Sequence, residues 1–227
     1  QVARDELAKL QSGDEENVAH WKRFVEITLS SLKDVYERLG VEFDEWLGES
    51  AYNDRLAGVA QLLLDKGIAT IDGGAACVFF HEMGEIEGAL PDAVPKRLRK
   101  QKSPFIVRKK DGAFNYATSD VATVQYRREV FGADRALYVV GSPQALHFEQ
   151  LFSVMKLLGE PMRLEHIAFG QIQGADGKVM RTRSGESVSL GSLLDEAGAQ
   201  SRPVIEEKLA DGSLRMPADG LGQPPHG

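Results

Sequence analysis

RALYVVGSPQALHFEQLFSVMKLLGEPMRLEHIAFGQI, Arg135–Ile172, is the stretch that decides the fold. Arg135–Val140 is a short apolar run stopped by Gly141, after which Ser142 and Pro143 suit a helix N-cap and first helical position. Leu151, Val154, Met155 and Leu158 then recur at helical spacing until Gly159. LEHIAFGQI, Leu164–Ile172, is the returning strand. A strand, a crossover helix and a strand of these lengths predict a parallel pair. In such α/β units ligands bind beyond the carboxyl ends of the strands, where Gly141–Gln144 and Gly170–Gly185 fall.

Upstream, FNYATSD (Phe114–Asp120) predicts a strand-to-helix junction, with a helix from about Ser119 to Phe131 closed by Gly132. AACVFF and PFIVRKK read as strands, and Asp111-Gly112 is a hairpin signal joining the second to AFNYAT. Val18, Trp21, Val25, Leu29, Leu32, Tyr36 and Leu39 lie on one face of a long helix, with capping-box spacing at Ser12 and Glu15 and a stop at Gly40. A second helix runs from about Asp54 to Lys66, with Leu56, Val59, Leu62 and Leu63 inward. Trp46 and Tyr52, between the two, read as buried aromatics. The tail from about Leu209, rich in Gly and Pro, is expected to be poorly ordered.

A chain of 227 residues with 42% hydrophobic and 27% charged side chains suffices for a substantial core. Its single cysteine, Cys77, excludes an intramolecular disulfide and reads as a buried thiol in a reducing compartment. No apolar run approaches the roughly 20 residues of a membrane span. A net charge of −7 argues against indiscriminate nucleic-acid binding. The basic segment from Lys96 to Lys110 reads either as a solvated loop or as a phosphate-backbone contact. Opening on Gln1 rather than Met, the chain reads as a piece of a longer product.

Three side chains near the predicted ligand end suit a planar cation. Asp120 at a helix start is either a capping carboxylate or the partner of a guanidinium, whose fork of donors a carboxylate matches bidentately. Tyr116, four residues earlier, and Gln144, at the mouth of the next strand, supply a ring and an amide acceptor; Gln144 is equally readable as an exposed first-turn residue. His147 is either a packed histidine or a proton-transfer group. Lys178, Arg181 and Arg183, among Gly174, Gly177 and Gly185, form a basic loop able to fold over a phosphate chain. The two commonest glycine-rich phosphate loops are absent, and the scattered histidines lack metal-ligand spacing, so no metal site is expected.

Five ordered blocks, LAKLQSGDEEN, LGESAYNDRL, FNYATSDVATVQYR, LYVVGSPQALHFEQ and VMRTRSGESVSLGSLLDEA, resemble the arginyl-tRNA synthetases, and the resemblance runs from about Ala3 to Lys208. It implies an α/β fold, the second half of a class I Rossmann-type parallel-sheet catalytic domain with a helical insertion. Residues 1–110 would form the insertion and connecting strands, 111–197 the C-terminal half of the core, and 198–227 the start of the connection to an anticodon-binding domain. Such enzymes condense arginine with ATP and pass the arginyl group to tRNA-Arg. The resemblance assigns Tyr116, Asp120 and Gln144 to L-arginine. It assigns His147, Phe169, Gly170, Lys178, Met180, Arg181, Thr182 and Arg183 to ATP, with Arg181 and Arg183 also catalytic. Val179–Ser184 matches a variant of the mobile KMSKS signature in which arginines replace lysines. Mg²⁺ is expected with ATP, without an identified protein site, and the compartment is expected to be the cytoplasm. The HIGH signature and the anticodon-binding domain are absent from the sequence, so the isolated chain is expected to be inactive. The alternative is an arginine-binding or regulatory module of synthetase-like fold without ligase activity.

Overall fold

β4 (Arg135–Gly141) and β5 (Arg163–Phe169) pair in parallel over their whole length, Arg135 opposite Arg163 and Gly141 opposite Phe169. This computed structural model describes residues 2–11, 13–170 and 189–215. Between the strands, Ser142–Gln144 form a single 3₁₀ turn that leads into α5 (Ala145–Leu157). Ser142 is therefore the first residue of a tight turn rather than a side-chain cap, and Pro143, with its fixed φ and missing N–H, suits its place in that turn. Alternation along β4 turns Ala136 and Tyr138 into the core and leaves Leu137 and Val139 outward. With Ile167 and Phe169 of β5, these form an apolar sheet face 44–66% exposed among the described residues, unlike a parallel sheet covered on both faces.

Contacts divide the chain into two units, residues 1–46 with 181–227, and residues 47–180. The second holds β4, α5 and β5 together with α3 (Asn53–Asp65), α4 (Tyr116–Phe131) and a three-stranded antiparallel sheet. That sheet is β1 (Thr70–Asp72), β2 (Ala75–Val78) and β3 (Phe105–Arg108), in that order. Leu63, Val78, Phe80, Val107, Val121, Val124, Leu151 and Val154 fill the core, all at 0% exposure. Cys77 is buried as expected, and its apolar surroundings raise the thiol pKa.

α4 begins three residues earlier than the sequence predicts. Asn115, in extended conformation, caps it by accepting the Tyr116 N–H, so AFNYAT makes only one bridge, Phe114 to Arg108, before the helix starts. The Asp111-Gly112 turn is formed, with Gly112 at φ 87°. Seven of the eight residues Ala117–Val124 are buried, and the exception is Asp120. The Thr118 hydroxyl donates to the Val107 carbonyl, fixing α4 on β3.

In the other unit, α2 (Glu15–Leu39) is capped by Asp14, which accepts from the Asn17 N–H, and Gly40 closes it in the left-handed region. Ser12, the predicted cap, lies outside the described residues. None of the predicted apolar face of α2 is fully buried. Periodicity identifies which side chains are available for burial but not what covers them. Trp46, expected inside, is 38% exposed and packs edge-on against Tyr36 and Phe43; Tyr52, in the other unit, is buried. Arg38 of α2 pairs with Asp195 of α6 (Leu190–Ala210) at 2.9 Å. α6 carries the chain helically past Leu209, where the predicted tail begins.

Gly159 ends α5 at φ 79°, and a Cβ there would lie 2.6 Å from the Gly88 carbonyl oxygen. Gly132 ends α4 at φ 62° with open space around it. Gly132→Ala should lower unfolding free energy by about 1 kcal/mol, the backbone cost alone. Gly159→Ala, with the added clash, should cost about 2–3 kcal/mol or more. Urea midpoints of the two variants check this order.

Candidate functional site

A cavity of about 410 Å³ opens beside the N-terminal half of α4, lined by Glu49, Tyr116, Ser119, Asp120, Arg127, Tyr138 and Gln144 among others. Its size lies within the range of small-molecule sites. Glu49 arrives on a 3₁₀ turn, Glu49–Tyr52, that leads into α3; Gln144 arrives on the turn above β4. The three sequence-predicted side chains Tyr116, Asp120 and Gln144 thus share one wall system.

Asp120 is not a capping carboxylate, since Asn115 fills that role. Its Oδ2 lies 2.5 Å from His147 Nε2 of α5. An ionised carboxylate only accepts, so the ring nitrogen donates. The imidazole is held on several sides: stacked on Phe105 at 5.9 Å and 15°, and edge-on to Tyr116 at 4.8 Å and Phe148 at 5.4 Å. The histidine side chain is 11% exposed and the aspartate 33%, so His147 is a packed residue that orients the more open carboxylate.

Glu49 is a second carboxylate on the wall. Ser119 Oγ lies 2.6 Å from Glu49 Oε1 and 3.0 Å from the Tyr116 carbonyl, so its single proton serves one acceptor at a time. Arg127 is the wall's own cation, its Cζ 5.1 Å from the centre of the Tyr138 ring. Two acids against one base, with an amide and the three phenols of Tyr52, Tyr116 and Tyr138, make a surface suited to a polar cation. Glu49, Ser119, Arg127 and Tyr138 were not singled out from the sequence. Tyr138 had a signal, since strand alternation turns it inward with Ala136; Glu49 had none beyond its place in LGESAYNDRL.

Phe169 ends β5, 54% exposed, with Gly170 after it. Phe169 also lies at Gly141, where an added Cβ would be 3.7 Å from its ring. Lys178, Met180, Arg181, Thr182 and Arg183 fall outside the described residues. The basic residues Lys96, Arg97, Arg99, Lys100 and Lys102 are all exposed, around a 3₁₀ turn at Leu98–Lys100. Among the described residues no three His, Cys, Asp or Glu side chains converge as a metal site. No helix among them is long and apolar enough to cross a membrane.

The family profile described as tRNA synthetases class I (R), catalytic domain, matches residues 1–219. The arginine–tRNA ligase of Pseudomonas putida is 43% identical over 228 residues, covering 97% of this chain and 37% of that protein. The arginine–tRNA ligase of Rhodopirellula baltica is 44% identical over 201 residues, covering 88% and 27%. Among solved structures, the arginyl-tRNA synthetase of Plasmodium falciparum superposes with a TM-score of 0.69 at 23% identity, over 91% of this chain and 32% of that one. That of Thermus thermophilus gives 0.63 at 17%, over 91% and 39%. The fold is that of a class I aminoacyl-tRNA synthetase catalytic domain, in its α/β form. Within that class the chain belongs to the arginyl-tRNA synthetase family, and it spans about 37% of the length of the Pseudomonas relative.

Burial pushes the Tyr138 phenol up to about 12, with Arg127 nearby opposing the rise. A pKa raised on folding contributes stability that is full below the ordinary value near 10 and is lost as pH rises through the folded value. Between about pH 10 and 12 the parent chain should therefore lose stability faster than Tyr138→Phe. Urea midpoints across that window, with phenolate absorbance as a second readout, check the prediction.

Proposed function

We propose that this chain carries the arginine-selecting part of an arginine–tRNA ligase. One observation carries the reading: Asp120 and Glu49 line a single cavity with Tyr116 and Gln144, and Asp120 is held in place by a caged histidine. L-arginine would put its guanidinium between the two carboxylates. Gln144 would accept a further N–H and the Tyr116 ring would cover the cation. A neutral isostere such as citrulline leaves the carboxylates without a counter-charge, so selection rests on charge and hydrogen bonding together.

In the whole protein, the arginine carboxylate would attack the α-phosphorus of ATP, forming the adenylate and releasing pyrophosphate, before transfer to tRNA-Arg. Arg181 and Arg183 would stabilise charge on that phosphorus, with Lys178, Met180 and Thr182 in the same loop. Phe169 and Gly170, at the carboxyl end of β5, stand on the side where nucleotides bind in parallel sheets. His147 is better used in holding Asp120 than in touching ATP. Mg²⁺ would accompany ATP, and no step is assigned to it. We assign residues 1–110 to the insertion and connecting strands, 111–197 to the C-terminal half of the core, and 198–227 to the connection beyond it. The open apolar face of Leu137, Val139, Ile167 and Phe169 suits further elements of a catalytic domain. A cytoplasmic setting accords with work on tRNA.

Arginine-dependent ATP–pyrophosphate exchange by the whole protein tests the reading. Asp120→Asn should raise the KM for arginine by about 30-fold or more, the effect of leaving a charge unpaired, with the KM for ATP little changed. An unchanged arginine KM would sink the assignment of Asp120.

A further inference from the structure

The cavity contains one buried polar atom that the described residues leave without a well-formed hydrogen bond. Tyr138 is 8% exposed, and its hydroxyl is buried without a hydrogen-bond partner. Among the described residues the other buried side-chain atom without a hydrogen bond, Glu149 Oε2, lies outside this cavity and has Arg97 Nε at 3.4 Å. Phe148 and Phe152 fix the Tyr138 ring from α5, at centroid distances of 5.0 and 5.5 Å. Arg127, its Cζ 5.1 Å from the ring centre, is the one neighbouring cation close enough to act on the hydroxyl, and it stands over the ring rather than in line for a well-formed hydrogen bond. Arg127, Asp120 and Tyr52 are the charged and phenolic groups that act on that hydroxyl, and all three line the same cavity. A buried hydroxyl without a partner carries its full desolvation cost, and a ligand that supplies the missing hydrogen bond removes it.

We propose that Tyr138 is a specificity-determining residue of the pocket, its hydroxyl oxygen accepting a hydrogen bond from a terminal nitrogen of the guanidinium held by Asp120 and Glu49. The inference rests on the arginine reading of the pocket and deepens it. A guanidinium brings five N–H donors. Of the wall's carboxylate oxygens, Asp120 Oδ2 is occupied by His147, and Glu49 Oε1 is within reach of Ser119. The phenol adds an acceptor that is neutral and rigidly placed. It stays protonated far above neutral pH, so it adds no third negative charge. Substitution on a terminal guanidinium nitrogen removes a donor and adds bulk there. The parent should therefore prefer arginine to Nω-methylarginine, and Tyr138 should supply part of that preference.

The test is calorimetric titration of the 227-residue chain and its Tyr138→Phe variant with L-arginine and Nω-methyl-L-arginine, together with thermal unfolding without ligand. Phenylalanine keeps the ring contacts and deletes only the hydroxyl. Tyr138→Phe should weaken arginine binding by about 10-fold or more, as for a lost hydrogen bond to a charged group. It should narrow the arginine-to-methylarginine preference and leave the unliganded midpoint unchanged or higher. Equal arginine affinity in parent and variant overturns the inference while leaving the arginine pocket intact. A lower unliganded midpoint also overturns it, because the hydroxyl would then be satisfied within the protein. Failure of the parent to bind arginine overturns the arginine reading and this inference with it.

Discussion

The hydrogen bond between His147 Nε2 and Asp120 Oδ2, 2.5 Å long, is the constraint around which the pocket is arranged. It joins α5 to α4 across 27 residues of sequence, at the one position among Ala117–Val124 where α4 is not buried. A carboxylate here without a partner would be free to swing. One tied to a ring wedged between Phe105, Tyr116 and Phe148 presents its remaining oxygen in a fixed direction. Apolar packing thus becomes polar geometry: the aromatic cage orients the histidine, the histidine orients the aspartate, and the aspartate faces the cavity. Removing the imidazole would relax the carboxylate without deleting any charge from the pocket.

The same economy of contacts appears on the glutamate side. Ser119, one residue before Asp120, reaches Glu49 across 70 residues of sequence, so a single helical turn of α4 sets both acids. α4 is itself located by the Thr118 hydroxyl on β3 and by burial of nearly its whole first half. The helix fixes Asp120, and Glu49, which arrives on the 3₁₀ turn Glu49–Tyr52, is tied to the helix through Ser119. Sites built on regular elements hold geometry better than sites built on loops.

Periodicity made the β4–α5–β5 unit legible, because strand, turn glycine, helix and returning strand each carry a local signal. α4 was placed three residues late: Tyr116-Ala117-Thr118 continues a strand-like run, and the signal that ends it is Asn115, whose capping role depends on its extended backbone. Asp120, Tyr116 and Gln144 were legible as candidates by type and position. That Asp120 leaves the capping role to Asn115 and pairs with His147 was not, because His147 comes to it through tertiary packing. Glu49 was invisible for the same reason. Strand alternation turns Tyr138 inward, but whether its hydroxyl finds a well-formed hydrogen bond depends on tertiary packing. Trp46 shows the reverse error: an aromatic in a polar stretch looked buried, yet it rests at the surface on two other rings.

The central claim is that charge recognition in the cavity beside α4 selects a guanidinium. Calorimetric titration of the unaltered chain with L-arginine, L-lysine and L-citrulline tests it most directly. The account predicts that arginine binds most tightly, that lysine is weaker because its ammonium cannot bridge two carboxylates in a planar fork, and that citrulline is weakest because it brings no charge. Citrulline binding as tightly as arginine would contradict it.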